Sequence, residues 1–246
     1  MKFTERIKTR FPGRLKHMYA RISPRSPVYV FHHIPRCGGS SVNEVLASWF
    51  ITIKDYRSGW TMDYPEKVNI ERLRSAHCLC GHFELDGYHL HQRYPGILGS
   101  DRFRLFTFVR EPLQVQLSLY RYEKKQKVCT VGSIEDRLSA RPNYVADRLP
   151  ATQENYKEII DRYFFVGILE EGQASLDLLA RILGKPRKKL PWANRTRKDS
   201  GCDEVNLSEE LIGKFREENV LDYLIYEYCV EKFRKNLAEQ AVGSIL

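Results

Sequence analysis

Val28-Tyr-Val-Phe-His-His-Ile-Pro-Arg-Cys-Gly-Gly-Ser-Ser-Val-Asn43 decides how the rest of this chain is read. Val28 to Ile34 is an apolar run rich in β-branched and aromatic residues, so it reads as a buried strand. Pro35 stops it, because proline cannot donate to a sheet ladder. Gly38 and Gly39 let the chain turn sharply and bring backbone N–H groups close to a ligand. Ser40 and Ser41 then open a helix that runs through Val42, Val45, Leu46 and Trp49. A strand, a glycine turn and a helix N-terminus together make an anion grip, since unpaired N–H groups and the helix dipole point the same way. An ordinary glycine-containing turn between strand and helix has the same outline.

The loop does not have Walker A spacing, because its cation, Arg36, precedes the glycines. A second segment adds to it. Arg102-Phe-Arg-Leu-Phe-Thr-Phe-Val-Arg110 is strand-like and ends on an arginine. Glu111-Pro112 follows, with proline suited to a first helical position. Leu113 to Lys125 reads as a helix, with Ser118 on it. In a parallel α/β sheet the ligand crevice lies at the carboxyl ends of the strands, so Arg36 and Arg110 are expected on one rim. An arginine fork and a serine hydroxyl are a fitting pair for phosphate oxygens. Taken singly, a strand-end salt bridge explains Arg110 equally well, and a helix surface position explains Ser118.

Taken together, the segments resemble the sulfotransferases that use PAPS (3′-phosphoadenosine 5′-phosphosulfate). Pro35-Arg36-Cys37-Gly38-Gly39-Ser40-Ser41 resembles their 5′-phosphosulfate loop, commonly Pro-Lys-Thr-Gly-Gly-Ser-Ser. Arg110-Glu111-Pro112 with Ser118-Leu119-Tyr120 resembles their 3′-phosphate segment, with Glu111 where Asp is usual. Cys80-Gly81-His82-Phe83 resembles the Gly-His element of family 2, which includes the uronyl 2-O-sulfotransferases. Phe164 to Glu171, Leu176 to Gly184 and Asp222 to Tyr228 resemble its later strand and helices. The similarity covers about residues 28 to 236.

This resemblance implies an α/β fold with a P-loop-like parallel sheet flanked by helices, the sulfotransferase fold. It implies PAPS as sulfuryl donor, release of PAP, and a hydroxyl acceptor, a saccharide or glycoconjugate. The implied donor-binding residues are Arg36, Cys37, Gly38, Gly39, Ser40, Ser41, Arg110 and Ser118. Arg195 joins them from the late basic loop Asn194 to Lys198. Arg36 stands where most relatives have lysine; it keeps the charge but cannot give up a proton at neutral pH, which leaves it an electrostatic role. The acceptor hydroxyl needs a base, and His82 is the first candidate, since imidazole titrates near neutrality. His33 is the second and Glu44 the third. Because His32 and His33 alternate along a strand, only one should face the crevice. His77, His89 and His91 are expected in the acceptor site or on its surface.

Composition sets the outer bounds. The 246 residues are 42% hydrophobic and 12% aromatic, enough for one large core. The expected organisation is a basic N-terminal extension over residues 1–27 and a single domain over 28–246. No run of 18 apolar residues occurs, so no membrane span is expected. The first 27 residues also lack an apolar signal core, which favours a soluble, cytoplasmic, bacterial enzyme. The six cysteines, Cys37, Cys78, Cys80, Cys129, Cys202 and Cys229, show neither a Cys-x-x-Cys pair nor zinc spacing. They read as free thiols in a reducing compartment, and no metal is expected. The net charge of +9 suits a polyanionic ligand, which PAPS itself is. A nucleotide-dependent phosphotransferase is disfavoured because no lysine follows the glycines. A polyanion- or nucleic-acid-binding module would leave the two phosphate-type segments unexplained, so no nucleic-acid partner is expected.

Along the chain, strands are expected at Val28–Ile34, Ala76–Gly81, Leu105–Val109 and Tyr163–Ile168. Helices are expected at Ser41–Phe50, Leu113–Lys125, Gly172–Leu183, Leu207–Glu217 and Asp222–Glu239. Strands separated by helices argue for a parallel sheet. Residues 52–75 and 126–160 are polar and irregular and read as acceptor-binding insertions or lids.

Overall fold

The computed structural model describes residues 20–58, 63–126, 132–191 and 207–242. Arg195, Cys129 and Cys202 lie outside them, as does most of the 1–27 extension. Five parallel strands form one sheet: β1 (Val28–His32), β2 (Ile51–Asp55), β3 (His77–Gly81), β4 (Phe103–Val109) and β5 (Phe165–Ile168), in the order β2-β3-β1-β4-β5. The fold is therefore α/β with a parallel sheet flanked by helices, as the sequence implied. β1 lies in the middle, with His32 level with Gly81 of β3 on one side and Thr107 of β4 on the other. Val28, Val30, Phe31 and His32 are all buried, as expected for a strand covered on both faces. Phe31 stacks on Phe106 of β4 with ring centroids 5.2 Å apart.

Helix α1 (Gly39–Trp49) returns from β1 and buries Val42, Val45, Leu46 and Trp49, one stripe at helical spacing. Helix α2 (Leu90–Arg93) is a single turn before β4. Helix α3 (Pro112–Gln126) follows β4 and starts on Pro112, as its sequence suggested. Three short helices follow: α4 (Ile134–Ser139), α5 (Tyr144–Arg148) and α6 (Tyr156–Asp161). After β5 come α7 (Gly172–Ile182), α8 (Glu209–Glu218) and α9 (Val220–Val242). Among the described residues, no helix is long and apolar enough to cross a membrane.

Two expectations need correction. Residues 52–75 are not all irregular, because Ile51–Asp55 is the edge strand β2, parallel to β3. Its five residues are mostly half-buried and include an exposed Lys54, so it has no run of apolar residues to announce it. Its last residue, Asp55, is fully buried and takes two hydrogen bonds from the Arg93 guanidinium at 2.8 Å, with the Tyr94 hydroxyl at 2.5 Å. Residues 126–160 likewise contain helices. A capping box between Ser133 and Asp136 starts α4. Helix α5 is held from outside: the Asp222 carboxylate of α9 accepts from the backbone N–H groups of Val145 and Ala146 at 3.0 and 2.8 Å. An acid at a helix N-terminus satisfies donors that the helix itself cannot.

The four described cysteines, Cys37, Cys78, Cys80 and Cys229, are free and buried. Cys78 and Cys80 share a face of β3, with sulfurs 3.8 Å apart.

Candidate functional site

A cleft of about 840 Å3 opens beyond the carboxyl ends of β1 and β4. These two neighbours are where the chain's progress across the sheet reverses, since β2 and β3 lie to one side of β1 and β4 and β5 to the other. Such switch points leave a crevice between diverging loops. The cleft has two ends of different chemistry.

The first end is the turn from β1 into α1. Gly38 takes φ 79° and N-caps the helix without any side-chain cap. A Cβ on Gly38 would collide with Leu169, and one on Gly39 with the His33 ring. Both positions therefore require glycine. The first turn of α1 opens at this end of the cleft, and it holds no acidic residue. Arg36 also lies in the left-handed region, at φ 68°. A non-glycine residue held there costs on the order of 1–3 kcal/mol, which the surrounding contacts must offset. Those contacts are visible: Arg36 Nε donates to Ser118 Oγ at 3.1 Å, and its guanidinium lies 4.6 Å from the Tyr122 ring centroid. Arg110 Nη1 donates to the Arg36 carbonyl at 3.5 Å, and Arg110 Nε stands 3.9 Å from Glu170. Burial pulls the Arg36 pKa below its ordinary value; Tyr122 opposes this and Arg110 adds to it.

Arg36, Gly38, Gly39, Ser40, Ser41, Arg110 and Ser118 all line this end. Cys37 does not, because its side chain is buried in the core and its N–H donates to the Ile34 carbonyl at 3.3 Å. The glutamate at 111 has a structural account. Its carboxylate caps α3 by accepting from Gln114 N at 2.7 Å and takes the Tyr223 hydroxyl at 2.8 Å.

The second end is built from the segments after β2 and β3. His82 Nδ1 lies 3.8 Å from the Glu84 carboxylate, and Arg57 Nε lies 3.0 Å from the same oxygen. Burial lowers the His82 pKa to about 4, with Glu84 opposing, so the imidazole is neutral at physiological pH. The rings of His33 and His82 sit 4.5 Å apart, edge to face, and Tyr56 packs on His82 at 4.7 Å. Phe83, just after His82, is buried at φ 50°, so the turn that aims His82 is itself strained. Tyr144 and Arg148, brought in on α5, complete this end.

The adjacent histidines point apart, as strand alternation requires. His33 lines the cleft, whereas His32 is buried between the Tyr163 hydroxyl at 2.7 Å and the His82 carbonyl at 3.1 Å. Burial lowers the His32 pKa to about 3. Glu44 is exposed on α1 and does not line the cleft, nor do His77, His89 and His91. Sequence reasoning missed Tyr56, Arg57 and Glu84. The signal for the first two was the short alternation of Ile51 and Ile53 with polar residues, since a strand there ends beside them. Tyr144 and Arg148 carried no signal, because α9 decides where α5 sits.

No protein-family model matches this sequence, and no curated protein matches it. Among solved structures, the crystal structure of a sulfotransferase from Alicyclobacillus acidocaldarius is similar, with a TM-score of 0.50 and 16% identity. The match covers 85% of this chain and 98% of that one, and the arrangement the two chains share is that of a sulfotransferase fold.

Proposed function

We propose that this protein is an O-sulfotransferase that moves a sulfuryl group from PAPS to an acceptor hydroxyl, releasing PAP. One observation carries the reading: Arg36 and Ser118, 82 residues apart in the chain, are bonded to each other at the mouth of the α1 N-terminus, with Arg110 donating to the Arg36 carbonyl. Two phosphate-type segments thus converge on one point. The cations, the serine hydroxyls and the helix N–H groups fit a ligand that carries phosphate at both its 5′ and 3′ positions.

In this reading α1 and Arg36 hold the 5′ end, and Arg110 with Ser118 holds the 3′-phosphate. PAPS supplies the activated sulfuryl group. Arg36 meets the charge that grows on the leaving oxygen, a role that needs a fixed cation and no proton. His82 faces Glu84 through Nδ1, which leaves Nε2 to take the proton of the acceptor hydroxyl. As the acceptor O–S bond forms and the S–O bond to the phosphate breaks, the electron pair leaves with PAP. The proton stays on His82 Nε2, where Glu84 stabilises the new imidazolium. By the resemblance of the Gly-His element, the acceptor is a saccharide or glycoconjugate.

Thermal unfolding with PAP, ATP and heparin tests the ligand class. PAP should raise the melting temperature, because it binds the folded state. ATP lacks the 3′-phosphate and should raise it much less. Equal stabilisation by both would remove Arg110 and Ser118 from the reading, and heparin alone would point to a polyanion-binding module. An acceptor screen with labelled PAPS then identifies the hydroxyl compound.

A further inference from the structure

We propose that His33 is a neutral hydrogen-bond donor to the anion seated at the N-terminus of α1, locked in that form by Tyr56 and Asn43. The anion is the one inferred above; the locked tautomer stands apart from that reading. Asn43 Nδ2 donates to the Tyr56 hydroxyl oxygen at 2.8 Å, and that hydroxyl is 3.2 Å from His33 Nδ1. A phenol has one hydrogen to give. Among the described residues the Tyr56 hydroxyl has these two partners, and since Asn43 Nδ2 can only donate, His33 Nδ1 is the one able to accept its hydrogen. A neutral imidazole that accepts at Nδ1 carries its own hydrogen on Nε2.

The ring is held so that this hydrogen faces the loop. His33 stacks flat on Phe31 at 5.6 Å with planes 4° apart, and His82 closes its other side. The edge bearing Cδ2 and Nε2 lies against Gly39, close enough that no Cβ fits between them. That edge therefore borders the first turn of α1, where the anion would rest. The cationic ring is disfavoured there: burial pushes the pKa well below its ordinary value, and His82, His32 and Arg36 push in the same direction. A neutral ring can still donate one hydrogen bond. The same tautomer takes His33 out of the running as a base, since the nitrogen beside Gly39 already holds a proton and the other accepts from Tyr56. The two cleft histidines then divide the work, with His33 serving the group that leaves and His82 the group that attacks.

Nitrogen-15 spectra of the histidine ring nitrogens test the tautomer without any activity. The His33 signals are those lost in His33→Gln. In the wild-type protein Nδ1 should be unprotonated and Nε2 protonated, and Tyr56→Phe should release the ring into a mixture of tautomers. A wild-type ring protonated at Nδ1, or at both nitrogens, overturns the proposal. Calorimetry with PAP tests the hydrogen bond. His33→Gln places an amide N–H near the Nε2 position and should keep most of the affinity, whereas His33→Asn cannot reach it and should lose about tenfold, the effect of one hydrogen bond to a charged group. Equal affinity in the two variants overturns the hydrogen bond to the anion. Should the tautomer hold while the wild-type protein binds no PAP, the lock stands and the sulfuryl-donor reading fails.

Discussion

The two ends of the cleft are built by different means. The proposed anion-binding end comes from two contiguous loops, each following directly on a central strand. The Arg36 side chain and its partner Ser118 are separated in the chain, but each belongs to a local strand–turn–helix unit that forms largely from its own sequence. The histidine end has no such unit. His82 follows β3, Tyr56 and Arg57 follow the edge strand β2, and Tyr144 and Arg148 ride on a short helix that α9 holds in place. The lesson is that backbone chemistry can grip a phosphate locally, whereas aiming a proton acceptor takes distant side chains locked together.

If that contrast is right, changes at the two ends should separate binding from turnover. The largest effect is expected at the histidine end. His82→Ala should lower sulfuryl transfer by about 10²–10⁴-fold, the usual contribution of a general base, with PAP affinity nearly unchanged. The pH profile sharpens this. Because burial lowers the His82 pKa to about 4, the rate should stay level down through pH 6 and fall only as pH approaches 4, where the base becomes protonated. A fall centred near pH 6.5 would mean that an exposed imidazole does the work.

Next comes the buried pair that anchors β2 beneath that end. Arg93→Ala leaves Asp55 fully buried and stripped of its guanidinium, so it should cost about 3–5 kcal/mol in denaturant unfolding. A loss under 1 kcal/mol would show that β2 is held by its ladder alone, and the contrast between the ends would weaken.

At the proposed anion-binding end, Arg36→Ala should lower turnover by about 10²–10³-fold, comparable with removing one pre-positioned group from a developing charge. Arg36→Lys should keep much of the activity, because the cation is retained. Turnover unaffected by alanine would remove Arg36 from the chemistry. The smallest effect is expected from Ser118→Ala, a loss of several-fold in PAP affinity, about that of one neutral hydrogen bond. Calorimetry reads it directly, and a larger loss would mean that Ser118 also fixes the strained Arg36 backbone through the 3.1 Å bond.

The stability of the fold should also respond to pH. Burial holds the His32 and His82 pKa values at about 3 and about 4, below the ordinary 6.5 that they regain on unfolding. Between these values and 6.5 the unfolded chain binds more protons than the native one. Stability should therefore be full above pH 6.5 and decline as pH drops towards 4. His32→Gln should make that decline shallower in unfolding curves taken at several pH values.

The sequence alone determined the parallel α/β class, four of the five strands, the five longer helices to within about two residues at most of their ends, and the loop with its glycines. Period and punctuation are local properties, so a strand, Pro35, Gly38-Gly39 and a helical stripe announce themselves in order. Tertiary structure decided the rest. Strand β2 is five residues long and half-covered, and it exists because β3 offers it a ladder. Cys37 turned into the core and Glu44 out to solvent, although both lie within the segment that resembles the donor loop and its helix. Which of two adjacent histidines reached the cleft followed from alternation, but what each does followed from its partners, Tyr163 for His32 and Tyr56 for His33. Those partners lie 131 and 23 residues away in the chain. Hydrogen bonds of that range are closed by packing, and no local pattern in the sequence records them.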